Sequence, residues 1–368
     1  MMSSAYLRDR LARRDLTRRE LGRIAAGVGL TLMPLGAGRA RADGADALYY
    51  VLGGFAEEGL FKPYVAKNGA PPSTSFWGDE EEAFNKLRGG FKPDVTYCGS
   101  YSVPRWRDAE LLQPIDTGRL AHWADLIDVL KTVPGTVVGE EHWSVPVGWG
   151  TTSVLYRTDL VEVGDESWGL LWDERYSGRL AMIDGVADAV AGAAIYAGVD
   201  PYTMDEAAIA KVKGVMVAQR PLLRMYTSDM TSLAQSIASG EIVAAMTWND
   251  TYASLRREGV PVAYMLHPKE GLSTFAAVAT INKDAAQPDL AYDLIDSLTD
   301  PESGAFWMTY YGLGHANAKA YGMVPAADLE AAGLTADPAG VLGKSVFQSR
   351  MRNEEKITAM FEEVKAGE

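Results

Sequence analysis

The sequence predicts an α/β protein, on three observations. Strand-like and helix-like runs alternate along most of the chain. The helix-like runs carry caps and stops where helices need them. The strand-like runs are short, apolar and bounded by glycine or acidic residues.

Taken in order, "ALYYVLGG" (47–54) reads as a strand ending in two glycines. "EEEAFNKLRGG" (80–90) reads as a helix with Gly89 as its stop. "KPDVTYCGS" is strand-like, and "LAHWADLIDVLK" (120–131) has a helical pattern. Residues 142–160, "HWSVPVGWGTTSVLYRTDL", are apolar, rich in Val, Thr and Gly, and almost uncharged until Arg157. That stretch is too short and too polar to span a membrane. Next come "RLAMID" (strand), "VADAVAGAAIYAG" (helix) and "DEAAIAKVKGVMVAQR" (helix). In "SDMTSLAQSIASGEIVAAMTWND", Ser228 or Asp229 can cap a helix that Gly240 ends, and a strand follows. "GLSTFAAVATI" is a strand. "QPDLAYDLIDSLTD" and "PESGAFWMTYYG" are helices with Pro near the start. "NEEKITAMFEEVKAG" closes the chain as an amphipathic helix with Ile357, Met360, Phe361 and Val364 on one face. There is no internal repeat and no low-complexity segment.

Composition narrows the class. The 368 residues are 47% hydrophobic and 23% charged, which is ordinary globular usage and enough chain for two or three domains. The formal net charge of −14 disfavours nucleic-acid phosphates as partners. One cysteine, Cys98, excludes an internal disulfide and a Cys-based metal cluster, and its place in a strand-like run reads as a small buried hydrophobe. The first 42 residues differ from the rest. A basic region precedes an apolar run from Ile24 to Leu35, then Ala40-Arg41-Ala42, a small-x-small cleavage signal. Thr17-Arg18-Arg19-Glu20-Leu21 resembles the twin-arginine export signal. The expectation is a periplasmic protein cleaved after about Ala42. This segment holds nine Arg against three acids, so the remainder carries a net charge of −20.

Enzyme motifs are thin. "PAGVLGKS" lacks the first glycine of a phosphate loop, with Pro338 in its place. "GWGTTS" has two of the three glycines of a dinucleotide turn, and no G-x-S-x-G elbow occurs. His122, His142, His267 and His315 have no partner at helical ligand spacing, so no zinc site is expected. Tyr310-Tyr311 could bind ferric iron as phenolates, or could be helix aromatics with one ring buried. Asp188 and Asp250 are the acids an exported enzyme would have to use, Asp250 reading more simply as a turn or cap residue. Nothing requires a cofactor. More informative are aromatic residues where strands meet loops, Trp149, Trp248 and Phe275. In open α/β sheets, ligands bind at the carboxyl ends of strands, and aromatic faces there can hold a flat or cationic group.

Residues 43–368 resemble the spermidine/putrescine-binding group of periplasmic substrate-binding proteins of ABC importers. The resemblance rests on "AFNKLRGG", "PDVTYCGSYSV", "LLQPID", "SVPVGWGTTSVLYRTDLV", "SWGLLWDERYSGRLAMID", "ASGEIVAAMTWND", "HPKEGLSTFA" and "AKAYGMVPA", in the family's order. It implies a type II periplasmic binding fold: two lobes, each a mixed sheet flanked by helices, joined by two crossing strands. "VPVGWGTTSVLY" is implied to be the first crossing, its glycines allowing a bend and the approach of a ligand. "GLSTFAAVAT" is implied to be the second. The implied lobes are 43–149 plus 276–320 and 150–275 plus 321–368.

Carried over residue by residue, the resemblance implies ligand contacts at Tyr101, Trp248 and Gln348, with Phe55 and Phe275 in place of a tyrosine and a tryptophan. Trp149 adds a further aromatic wall. Family acids that pair with polyamine nitrogens fall on Gly54, Gly185 and Ala277, leaving Asp188. A buried ammonium needs a carboxylate partner, so the expected ligand is a small amine or zwitterion with at most one cationic group. Arg350 and Arg352 could receive the carboxylate of a zwitterion or lie on the surface. The expected function is a monomeric binding protein that closes on its ligand and docks to a membrane permease, catalysing nothing. Retained polyamine binding, a ferric-ion binder and an exported enzyme on the same fold are the alternatives.

Overall fold

Residues 46–367 are described by a computed structural model, so the export signal expected at 1–42 lies outside the described residues. Eleven strands form one mixed sheet. They are β1 (Leu48–Leu52), β2 (Ser73–Trp77), β3 (Val95–Gly99), β4 (Val145–Arg157), β5 (Leu180–Ile183) and β6 (Leu223–Thr227). Then follow β7 (Ala244–Trp248), β8 (Val262–Tyr264), β9 (Leu272–Ile281), β10 (Gly314–His315) and β11 (Ser345–Phe347). The main order is β2-β1-β3-β9-β4-β7-β5-β6. β8 and β10 add to β4, and β11 adds to β9. β1, β2 and β3 pair in parallel, as do β5 with β6 and β7. The two long strands, β4 and β9, pair antiparallel with a register shift at Ala277/Val278.

The apolar stretch at 145–157 is therefore the central strand of the sheet. Every residue but Tyr156 is buried, because strands and helices cover both its edges and both its faces. Its two halves belong to different cores. One core draws on residues 47–149 and 272–347. The remainder comes from 154–265 and 351–364 and divides into two clusters. Val154, Met182 and Met246 belong to one of these, and Leu155, Ala181 and Ala245 to the other. Alternate residues of one strand point to opposite faces, so the two clusters flank the same sheet. Between the two halves of β4 lie Thr151, Thr152 and Ser153, buried and polar. Its glycines serve packing. A Cβ on Gly148 would stand 2.8 Å from the Trp307 ring, and Gly150 is covered by the Phe275 ring. The expectation that these glycines admit a ligand is corrected accordingly: core aromatics occupy that space.

Helix ends follow the sequence closely. Asp79 caps Glu80–Arg88 by accepting from Glu82 N at 2.8 Å. Asp229 caps Met230–Ser239, and Gly240 ends it with φ of 80°. Ile357, Met360, Phe361 and Val364 form the buried stripe of Glu354–Ala366. The helix expected over 120–131 shrinks to the 3-10 turn Trp123–Asp125 and the single turn Asp128–Lys131. The backbone there makes tertiary bonds instead. Ile127 N donates to Ala316 O at 2.9 Å, and Leu126 bridges to Asn317. Cys98 is fully buried, as the sequence suggested. Among the described residues, no helix is long and apolar enough to cross a membrane.

His315 sits in the first core with no exposed surface. Its Nδ1 accepts from Asn317 N at 3.1 Å, and its Nε2 lies 3.0 Å from Leu298 O and donates to it in the neutral ring. Burial pushes its pKa down to about 4. The unfolded chain takes up this proton below about 6.5, before the folded chain does, so stability falls as pH drops from 6.5 toward 4. Urea unfolding at pH 7 and pH 4 is expected to show His315→Gln losing about 3 kcal/mol less than the parent over that interval. Equal losses would mean that the folded chain protonates this ring as readily as the unfolded chain does.

Candidate functional site

Four strands end at one cleft of about 650 Å³. Tyr101 lies in the turn Ser100–Ser102 that follows β3. Glu80 opens the helix after β2. Asp188 lies in a single π-helical turn, Val186–Val190, after β5. Gln348 follows β11, its N–H donating to Thr274 O at 2.8 Å. The carboxyl ends of strands are where an α/β sheet leaves its crevice.

Asp188 is held from two strands. Thr152 Oγ1 on β4 donates to its Oδ1 at 3.0 Å, and Trp248 Nε1 at the end of β7 donates to the same oxygen at 3.4 Å. Burial pushes the Asp188 pKa up, and these two donors oppose the rise. Glu80 is held from β3. Its Oε1 accepts from Gly99 N at 2.7 Å, and its Oε2 from Ser102 Oγ. The Tyr101 hydroxyl donates to it as well. Burial pushes the Glu80 pKa up to about 7 despite these donors. Burial also raises Tyr101, with Glu80 and Asp188 adding to the effect.

Of the residues singled out in the sequence, Tyr101, Asp188 and Gln348 line the cleft, and Trp248, 37% exposed, reaches it through Asp188. The others do not line it. Trp149 is 1% exposed, and its indole N–H donates to Tyr321 Oη at 2.9 Å. Its ring covers Gly314, so it is a core residue, which corrects its expected place in the cleft wall. Phe55 stacks on Tyr311 at 4.6 Å and on Tyr97 at 5.5 Å, in a cluster packed on the first core. Phe275 is half-buried over Gly150. Arg350 lines the cleft and lies 3.7 Å from Glu354; Arg352 is exposed and outside the lining.

Sequence reasoning missed Glu80 and Tyr202. Glu80 stands in a run of three acids that looks like a solvated helix start. The strand that precedes it, Ser73–Trp77, has no place in the sequence reading either, so nothing there marks Glu80 out. Tyr202 lies in a loop without pattern. Four carboxylates line the cleft, Glu80, Glu81, Asp188 and Glu354, against the guanidinium groups of Arg105 and Arg350. Arg105 is bidentate on Glu81, one arm at 3.0 Å. Among the described residues, no Lys or Arg pairs with Asp188 or Glu80. Such a cleft attracts cations.

The rival readings look different. Asp250 lies apart from Asp188, accepting from Thr251 N at 2.7 Å at a helix start. It lines a separate pocket of about 430 Å³ with Tyr310 and Tyr311, whose rings meet edge-on at 5.0 Å. Among the described residues, no three His, Cys, Asp or Glu side chains come together as metal ligands would.

Comparison with known proteins places this geometry. The profile of a family described as bacterial extracellular solute-binding protein matches residues 70–337. A putrescine/agmatine-binding protein of Pseudomonas aeruginosa is 28% identical over 284 residues, 72% of this chain and 76% of that one. The putrescine-binding periplasmic protein PotF of Escherichia coli is 25% identical over 269 residues, 68% of this chain and 72% of that one. A spermidine/putrescine ABC transporter substrate-binding protein, PotD, from Streptococcus pneumoniae superposes with a TM-score of 0.75 at 17% identity, covering 87% of this chain and 98% of that one. A protein described as the Atu4243-GABA receptor superposes with a TM-score of 0.66 at 17% identity, covering 88% and 97%. The structural likenesses establish a shared fold.

Proposed function

Because the chain belongs to the bacterial extracellular solute-binding proteins, we propose that it is the periplasmic ligand-capturing component of an ABC importer and that its ligand is a small organic amine. One observation carries the choice of ligand: Asp188 is half-buried in an acidic cleft, held by neutral donors, with no cation beside it among the described residues. A buried carboxylate is costly until a cation meets it. The binding partners named for the relatives, putrescine and agmatine, are cations of this kind.

In this reading the two apolar cores are the two lobes. The segment 321–347 then belongs to the first lobe, since Leu329, Leu342 and Phe347 pack in that core, and Met351 begins the second lobe's share of the tail. Closure about β4 and β9 brings Tyr101 and Asp188 together on the ligand, and the closed monomer docks to a permease. The leading 42 residues are the export signal, of twin-arginine type. No step of chemistry on the ligand is assigned.

A thermal-shift panel tests the reading with putrescine, agmatine, spermidine, 4-aminobutyrate, glycine betaine and ferric citrate. An amine at about 100 times its Kd should add about 2.7 kcal/mol, raising Tm by about 4 °C for a domain of this size. A rise with 4-aminobutyrate alone would transfer the reading to zwitterions, with Arg350 as the carboxylate's partner. A rise with ferric citrate alone would make the paired tyrosines the site.

A further inference from the structure

The cleft holds a second carboxylate that differs from its neighbours in sequence. Glu81 has Arg105, and Glu82 accepts from Gly78 N at 2.8 Å. Glu80 has three neutral donors and, among the described residues, no cation: Gly99 N, Ser102 Oγ and the Tyr101 hydroxyl. An ionised carboxylate has about four acceptor positions, so these three leave one for the cleft. Asp188, from the other core, lines the same cleft without a cation. Tyr101 feels both carboxylates.

Desolvation in the cleft penalises the ionised form of each of these half-buried carboxylates, and Glu81, though paired with Arg105, adds to the rise at Glu80. The empty protein needs a counter-charge, and a proton is at hand. We propose that Glu80 sets the charge of the ligand that the cleft accepts: it is protonated in the empty protein and beneath a monocation, and ionises against the second ammonium of a diamine. The step balances without a co-reactant. The Glu80 carboxylic acid gives its proton to solvent, and the carboxylate takes up the ligand's second cation. The proposal rests on the reading of the cleft as an amine site and deepens it. It also reopens the ligand size that the lost acids at Gly54, Gly185 and Ala277 had closed, because the missing charge comes from a helix start.

The groups facing Glu80 fit this role. On its own helix stand Glu81, neutralised by Arg105, and Glu82. From β3 and its turn come Tyr97, Cys98, Tyr101 and Ser102, all uncharged at neutral pH with the three titratable ones pushed up. Across the cleft lie Asp188 and the pair Arg350–Glu354. Burial is the largest influence on Glu80 and holds its proton on to about pH 7. A pKa raised on folding stabilises the protein at low pH, and the benefit is lost as pH rises through 7.

Isothermal titration in phosphate and Tris, buffers of different ionisation enthalpy, separates the outcomes. Putrescine binding at pH 7 is expected to release about half a proton per ligand, falling to near none at pH 9. Binding of 1-aminobutane is expected to release none. In Glu80→Gln, putrescine should release none and bind about tenfold more weakly or worse, with 1-aminobutane within about threefold of the parent. Without ligand, Glu80→Gln should raise Tm at pH 8.5 and leave it unchanged or lower at pH 4.5. Putrescine heats independent of buffer at pH 7, or an unchanged putrescine Kd in Glu80→Gln, would overturn the proposal and leave the amine site standing. Failure of both amines to bind the parent would overturn the amine site and this proposal together.

Discussion

Asp188→Asn is expected to weaken amine binding by about a hundredfold, with little change in the fold. The asparagine oxygen can still accept from Thr152 Oγ1 and Trp248 Nε1, the two donors that fix the native side chain. Local geometry therefore survives. What goes is the negative charge. An ammonium brought into the cleft would lose its counter-ion in a site already shielded from water, which costs about 3 kcal/mol, or roughly two decades in Kd. The empty variant is expected to melt at or above the parent's Tm, because burial already disfavours the ionised form of Asp188. Calorimetric titration and a melting curve on the same preparation check both halves. A Kd within about threefold of the parent would remove Asp188 from the site.

Trp149→Ala is expected to do the reverse: destabilise by about 4 kcal/mol and leave amine affinity nearly intact at temperatures where the variant is folded. The Trp149 ring fills the space over Gly314, and its N–H is one of the partners of Tyr321 Oη. The same hydroxyl also bonds His315 N and His315 O, at 3.1 Å each. Removing the ring opens a cavity and takes a donor from a buried network, two losses that add. For a domain of this size, Tm should fall by about 6 °C. Lost affinity with unchanged stability would instead make Trp149 a wall of the cleft, as its position in sequence suggests.

The contrast between Trp149 and Trp248 shows where the sequence runs out. Both tryptophans stand beside polar residues near strand ends. Trp248 is the exposed last residue of an otherwise buried strand, and Trp149 lies inside a strand covered on both faces, where apolar and polar positions no longer alternate. Period alone cannot separate the two. The helix caps at Asp79, Asp229 and Gly240 were legible because capping is local, decided within about four residues. The segment 120–131 was not, since a helical spacing of apolar residues was overridden by backbone bonds to residues 316 and 317. Glu80 escaped for the same reason. Three acids in a row describe a solvated helix start, and only the tertiary placement of Gly99, Tyr101 and Ser102 turns the first of them inward.

The π-helical turn at Val186–Val190 has a bearing on how such a cleft diversifies. A π turn holds one residue more than the α-helical turn it interrupts. Dropping that residue would restore α-helical register and swing the side chains on one side of the deletion by about 100° around the axis. Asp188 would then leave the cleft while β5 before it and the helix Ala191–Tyr196 after it kept their packing. On the amine reading, a change of length at this one turn would remove the ligand's counter-charge without any substitution at position 188.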